Sequence, residues 1–180
     1  MYAKTLTALA ALLMTLPGQA AGFDVERISI EAGGGPKVQK VRVGVQWQWE
    51  KRWFESNGRH LGAYSDLNIA QWRGNAYRNV PGVHQNVTVI GFVPTFRYQR
   101  DDKKGWFVEA GIGYHLFSEL YNNDDNRLST AFQFGDHLGA GYVFDNGWEG
   151  TFKIQHYSNA SIKRPNSGAN FLVLKVAKPF

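Results

Sequence analysis

Residues 105–116 read GWFVEAGIGYHL. Trp106, Val108, Ala110, Ile112, Tyr114 and Leu116 fall on one face, and Gly105, Glu109, Gly111, Gly113 and His115 on the other. A period of two belongs to a β-strand, whose successive side chains point to opposite sides. Residues 41–49 (VRVGVQWQW) repeat the pattern: Val41, Val43, Val45, Trp47 and Trp49 oppose Arg42, Gly44, Gln46 and Gln48. The polar face decides the fold. A soluble sandwich or lipocalin-like barrel turns apolar side chains inward, whereas a membrane barrel turns them toward lipid. Here the apolar faces are long and aromatic, and the opposite faces carry Arg42, Asp66, Asn68, Glu109, Gln133 and His137 among many glycines. That composition suits a polar, tightly filled lumen.

Alternation recurs in eight segments: 25–32, 38–50, 61–73, 84–98, 105–117, 129–144, 148–158 and 169–179. Turn and loop residues join them: GGGP at 33–36, Glu55-Ser56-Asn57-Gly58, a loop at 74–83, Asp101 to Gly105, a polar loop at 118–128, Asp145-Asn146-Gly147 and a loop at 159–168. The expected fold is all-β, an eight-stranded antiparallel transmembrane β-barrel of the bacterial outer membrane. Phe180 ends the chain after an alternating strand and resembles the terminal aromatic that barrel-assembly machinery recognises. An even strand number puts both termini in the periplasm, so odd-numbered strands run outward and the first, third, fifth and seventh connections are external.

Lys4 gives a positive start, Leu6 to Leu16 are almost entirely apolar, and Gly18-Gln19-Ala20 has the small-x-small form of a cleavage site. Residues 1–20 are therefore expected to be a signal peptide and 21–180 a single β-barrel domain. An apolar core of about a dozen residues is too short to cross a bilayer of roughly 30 Å as a helix. The chain has no cysteine, which excludes disulfides, thiolate catalysis and cysteine metal sites. A formal charge of +5 with 14% aromatics could serve a nucleic-acid surface. An exported barrel meets no nucleic acid, and the basic residues suit the phosphates of an anionic lipid head group instead.

The seventh segment contains TFKIQHYS at 151–158, whose alternation puts Phe152, Ile154, His156 and Ser158 on the lipid face. An unsatisfied polar group in hydrocarbon costs a few kcal/mol, less near the interface, so polar exceptions on that face point to function. Both residues end an outward-running strand, which places them near the outer leaflet. On the sixth segment Phe132, Phe134, Leu138, Ala140, Tyr142 and Phe144 share the lipid face with one polar exception, Asp136; on the eighth, Asn170 shares parity with Leu172, Leu174 and Val176. Three neighbouring strands thus converge on one external patch. His156 can take the Ser158 proton and later return it to a leaving group, giving ester hydrolysis through an acyl-enzyme. Asn159 to Ser161 offer backbone N–H groups, and Asn159 its side chain, as oxyanion donors.

The chain resembles the outer-membrane lipid A 3-O-deacylase (PagL-type) family, most specifically in HYSNA at 156–160 followed by Lys163, Pro165, Asn166 and Gly168. The resemblance extends to WQWEKRW at 47–53, Gly58-Arg59, Leu61, Gly62, Tyr64, FVEAGIG at 107–113, Phe134, Asp136 and GAG at 139–141. It implies an eight-stranded barrel that removes the ester-linked acyl chain at the 3-position of lipid A without metal or cofactor, with His156 as base and Ser158 as nucleophile. Where the family's clear triads have a glutamate, fourteen residues after the histidine, this chain has Asn170. Asparagine can accept the imidazole N–H and fix its tautomer but cannot neutralise an imidazolium; Asp136 is the candidate to assist. Ser161 stands where the resemblance leads one to expect glycine. The implied partner is lipid A or lipopolysaccharide, and a homodimer is compatible with the sequence.

Plainer readings attach to the remaining candidates. His115 and His137 have lumen parity and read as hydrogen-bonded interior residues, while His60 and His84 lie near strand ends without partners at metal-ligand spacing. Trp47, Trp49, Trp53, Trp72, Trp106 and Trp148 read as interfacial girdles. Lys163 and Arg164 lie on an external loop. The alternatives are a non-catalytic barrel with a structural or adhesive role, and another lipid-modifying barrel acting on a different donor or acceptor.

Overall fold

On the last strand, adjacent residues Leu174 and Lys175 are 65% and 1% exposed. That inversion, apolar out and charged in, holds around the molecule. The computed structural model describes residues 19–20 and 23–180. The expected signal peptide lies outside the described residues except for Gln19 and Ala20, which pair with Phe23–Asp24. The barrel strands are β1 (Arg27–Gly35), β2 (Val38–Gln48), β3 (Arg59–Gly74), β4 (Gln85–Arg100), β5 (Gly105–Phe117), β6 (Phe132–Val143), β7 (Glu149–Ser158) and β8 (Ala169–Pro179). Each pairs antiparallel with its neighbours in sequence, and β8 pairs with β1 to close the cylinder. Closure leaves no unpaired edge, which is what lets a sheet stand in hydrocarbon. All eight expected strands are present.

The lumen is filled in two zones. Toward the end that carries the termini, Arg97 bridges Glu109 (2.6 Å) and Glu149 (2.7 Å), and Lys175 reaches the same two carboxylates at 3.1 and 3.0 Å. Midway, Arg42 pairs with Glu31 and Asp66, and Lys153 joins Glu31 at 2.5 Å. Toward the opposite end Trp72 makes edge contacts with Phe117, Tyr121, Tyr157 and Phe171 and seals the interior. The barrel is a packed cylinder, so the surface it offers to a membrane-borne ligand is its outer wall.

Three local expectations change. GGGP at 33–36 is not a turn: β1 continues through Gly35, and only Pro36 and Lys37 separate it from β2. Gly35 is needed there because a Cβ would lie 2.2 Å from the Asn170 carbonyl oxygen. Trp72 belongs to no girdle; it shares the inward parity of Asp66 and Asn68 and is fully buried. His115 and His137 are interior, but their ring nitrogens are buried without hydrogen-bond partners among the described residues. His115 packs edge-on against Tyr157, and glycines at 91, 111 and 135 leave room for the two rings. The second connection holds a small hairpin, Trp53–Ser56 against the start of β3, turned by Asn57 and Gly58 at φ of 52° and 71°. Positive φ at both turn residues matches the right-handed twist of the flanking strands.

Candidate active site

Strand pairing aligns Asp136 on β6 with His156 on β7, and His156 with Asn170 on β8. All three carry the outward parity of their strands. Directly opposed residues of antiparallel strands have Cβ atoms about 5 Å apart, so the three form one row across the wall. The His156 Nδ1 lies 2.7 Å from Asn170 Oδ1. An amide oxygen only accepts, so Nδ1 carries the proton and Nε2 keeps its lone pair. Asp136 is exposed and has no hydrogen-bond or ion-pair partner among the described residues.

One step further along β7, Ser158 is half-buried opposite Phe134. Phe134 packs against Phe132 and Tyr114, giving Ser158 an aromatic flank. Below the row lies a groove of about 670 Å³, lined on the outward face by Leu138, Ile154, Leu172 and Gly34 and bounded by Asp136, His156 and Asn170. It is apolar where the strands enter hydrocarbon and polar at its head.

The loop after Ser158 is fixed from within. Asn159 is fully buried; its backbone N–H donates to Asn166 Oδ1 at 3.0 Å and its side-chain amide to the Lys163 carbonyl at 2.8 Å. Both donors are engaged, so Asn159 acts as the anchor of the loop. Ala160 and Ser161 follow in the left-handed region at φ of 52° and 62°, with backbone N–H groups that have no partner among the described residues. Successive amides in turned backbone form a concavity suited to an anion. Lys163 and Arg164 are exposed beyond them.

Sequence reasoning gave no role to Gly168. A Cβ there would lie 2.6 Å from His156 Cε1, and its φ is +77°, so the absent side chain makes space for the imidazole. The signal was present in Gly168 itself, just before a strand, but its contact is long-range.

Fold and patch define a class: an outer-membrane β-barrel with a histidine–serine pair on its lipid-facing wall. The chain belongs to the lipid A 3-O-deacylase (PagL) family, whose model matches residues 39–179. It is 33% identical over 167 residues to the lipid A deacylase PagL of Pseudomonas aeruginosa, covering 92% of each chain. It is 30% identical over 155 residues to the lipid A deacylase PagL of Bordetella bronchiseptica, covering 85% of this chain and 83% of that one. The crystal structure of the outer membrane enzyme PagL superposes with a TM-score of 0.73 at 29% identity, covering 86% of this chain and 99% of that one.

Proposed function

We propose that this chain hydrolyses the ester-linked acyl chain at the 3-position of lipid A in the outer leaflet, with Ser158 as nucleophile and His156 as general base. The observation that carries the reading is the His156 Nδ1 to Asn170 Oδ1 contact of 2.7 Å, which leaves Nε2 basic on the same wall as Ser158. The ester carbonyl approaches Ser158 with its acyl chain lying in hydrocarbon. As Ser158 Oγ bonds to the carbonyl carbon, its proton passes to His156 Nε2, which returns it to the departing sugar oxygen. Water then cleaves the acyl-enzyme by the same route, releasing the fatty acid. Such contacts tighten when substrate is bound. The N–H groups of Ala160 and Ser161 receive the oxyanion, while Asn159 holds their loop and Phe134 supports the serine.

In this reading residues 1–20 direct export and are removed, 21–180 form the single working domain, and the patch faces outward. The test is the lipid A mass spectrum of outer membranes carrying the chain or its Ser158→Ala variant. Loss of one ester-linked acyl chain with the unaltered chain and none with Ser158→Ala is expected. Intact lipid A in both sinks the proposal and favours a structural barrel; transfer of the acyl group to a second lipid would make the protein an acyltransferase.

A further inference from the structure

The external loops meet in a second place, outside the groove of the catalytic patch. Arg78 and Asn79 of the β3–β4 loop and Asn122 and Arg127 of the β5–β6 loop line a cleft of about 450 Å³. Neither guanidinium has an ion-pair partner among the described residues. Of the nearby carboxylates, Asp124 is paired with Lys37, and Asp125 is tied to the Asn79 side chain at the edge of the cleft. Two like charges lining one cleft repel each other, and no ion pair among the described residues relieves them.

The cleft is also rigidly built. The Arg78 N–H donates to the Asn122 carbonyl at 3.1 Å, the Asp125 N–H to Asn79 Oδ1 at 2.7 Å, and Tyr77 bridges Asn123. The Arg78 guanidinium stacks over the Tyr77 ring at 5.1 Å. On the other wall Arg127 exchanges backbone contacts with Ser167, its N–H to Oγ at 3.3 Å and the Ser167 N–H to its carbonyl at 3.0 Å. Two guanidinium forks on fixed backbone, with the Asn122 side chain at hand for a hydroxyl, match a tetrahedral oxyanion attached to a sugar.

We infer that this cleft is a phosphate-binding site, separate from the catalytic patch, that takes the phosphomonoester of an anionic glycolipid head group at the outer surface. The effect on catalysis rests on the deacylase reading; the binding does not. Arg127 and Leu128 pin Ser167 and Asn166, and Asn166 holds Asn159, so the cleft shares a frame with the loop after the nucleophile. A head group held there is presented to the wall already oriented.

The binding test uses the full chain in neutral detergent micelles, titrated with glucosamine 1-phosphate, glucosamine or inorganic phosphate at low ionic strength. Glucosamine 1-phosphate should bind, glucosamine should not, and Arg78→Gln with Arg127→Gln should weaken binding about tenfold or more. Ser158→Ala should leave it unchanged. Glucosamine 1-phosphate binding tighter than inorganic phosphate assigns the site to a head group; equal binding assigns it to free phosphate and overturns the head-group assignment. Binding that survives the double arginine variant, or absent binding, overturns the site. With lipid A as substrate the double variant should raise KM several-fold at low salt with kcat unchanged, the difference shrinking as salt screens the charges. If unaltered chain releases no acyl chain, the deacylase reading fails while the titration still decides the cleft.

Discussion

The two faces of β7 carry polar residues on opposite terms. Inward, Lys153 meets Glu31, Gln155 receives Lys40, and Tyr157 packs against Trp72 and Phe171. Outward, between Ile154 and the loop, His156 has one partner and Ser158 lies against an aromatic flank. Inward charges are partnered because a lone buried charge costs several kcal/mol. The outward residues keep unused hydrogen-bonding capacity on the apolar wall, where the proposed reaction would use it. Fixed partners hold the cylinder, and their scarcity on the wall is what the proposed chemistry requires.

The sharpest test of that contrast compares Ser158→Ala with Glu109→Gln. Ser158→Ala should remove activity by about 10³-fold or more while leaving urea unfolding in micelles unchanged. Glu109→Gln leaves Arg97 and Lys175 with one carboxylate between them, and should lower stability by about 3–5 kcal/mol in the same unfolding experiment. A stability loss in Ser158→Ala matching that of Glu109→Gln would erase the distinction.

Gly168→Ala places a methyl against the imidazole and forces positive φ on a side chain. Turnover should fall by about 10²-fold, because a displacement of about 1 Å at a catalytic group has that scale; unchanged single-turnover acyl release would show that His156 is not held from this side.

The row Asp136, His156 and Asn170 divides one task between two residues. In the proposed mechanism Asn170 sets the tautomer, and Asp136 is the group proposed to supply the negative charge that an amide lacks. Asp136→Asn should cost about tenfold in kcat, a fraction of the Coulomb energy of adjacent charges once solvent screening is allowed for. Asn170→Glu should raise kcat, and in that background Asp136→Asn should cost less. Strictly additive effects in this double-mutant cycle would break the division of labour.

The smallest effect is expected at Ser161, whose φ of 62° a glycine adopts freely. Ser161→Gly should alter stability by no more than about 1 kcal/mol, since relief of strain is offset by the freer unfolded chain. Activity should be retained if the backbone N–H is the group in use, and a lost acyl release in this variant would assign the role to the hydroxyl instead.

Local pattern alone determined much of this protein. Period-two alternation specified eight strands, their inverted polarity and the outward parity of His156, Ser158, Asp136 and Asn170, because the face of a strand residue follows from its parity. It also held Trp72 on the inward face, though the girdle habit of tryptophan obscured it. Tertiary structure decided which outward residues stand beside one another. The alignment of Asp136 with His156 and Asn170 depends on inter-strand register, which is set by hydrogen bonds between strands and the lengths of their loops. The same holds for the engaged donors of Asn159, the space at Gly168 and the unpaired arginines of the cleft. The Asn159 and Gly168 contacts form within one loop and its hairpin, where no periodicity announces them, and the two arginines come from different loops that only the closed barrel brings together.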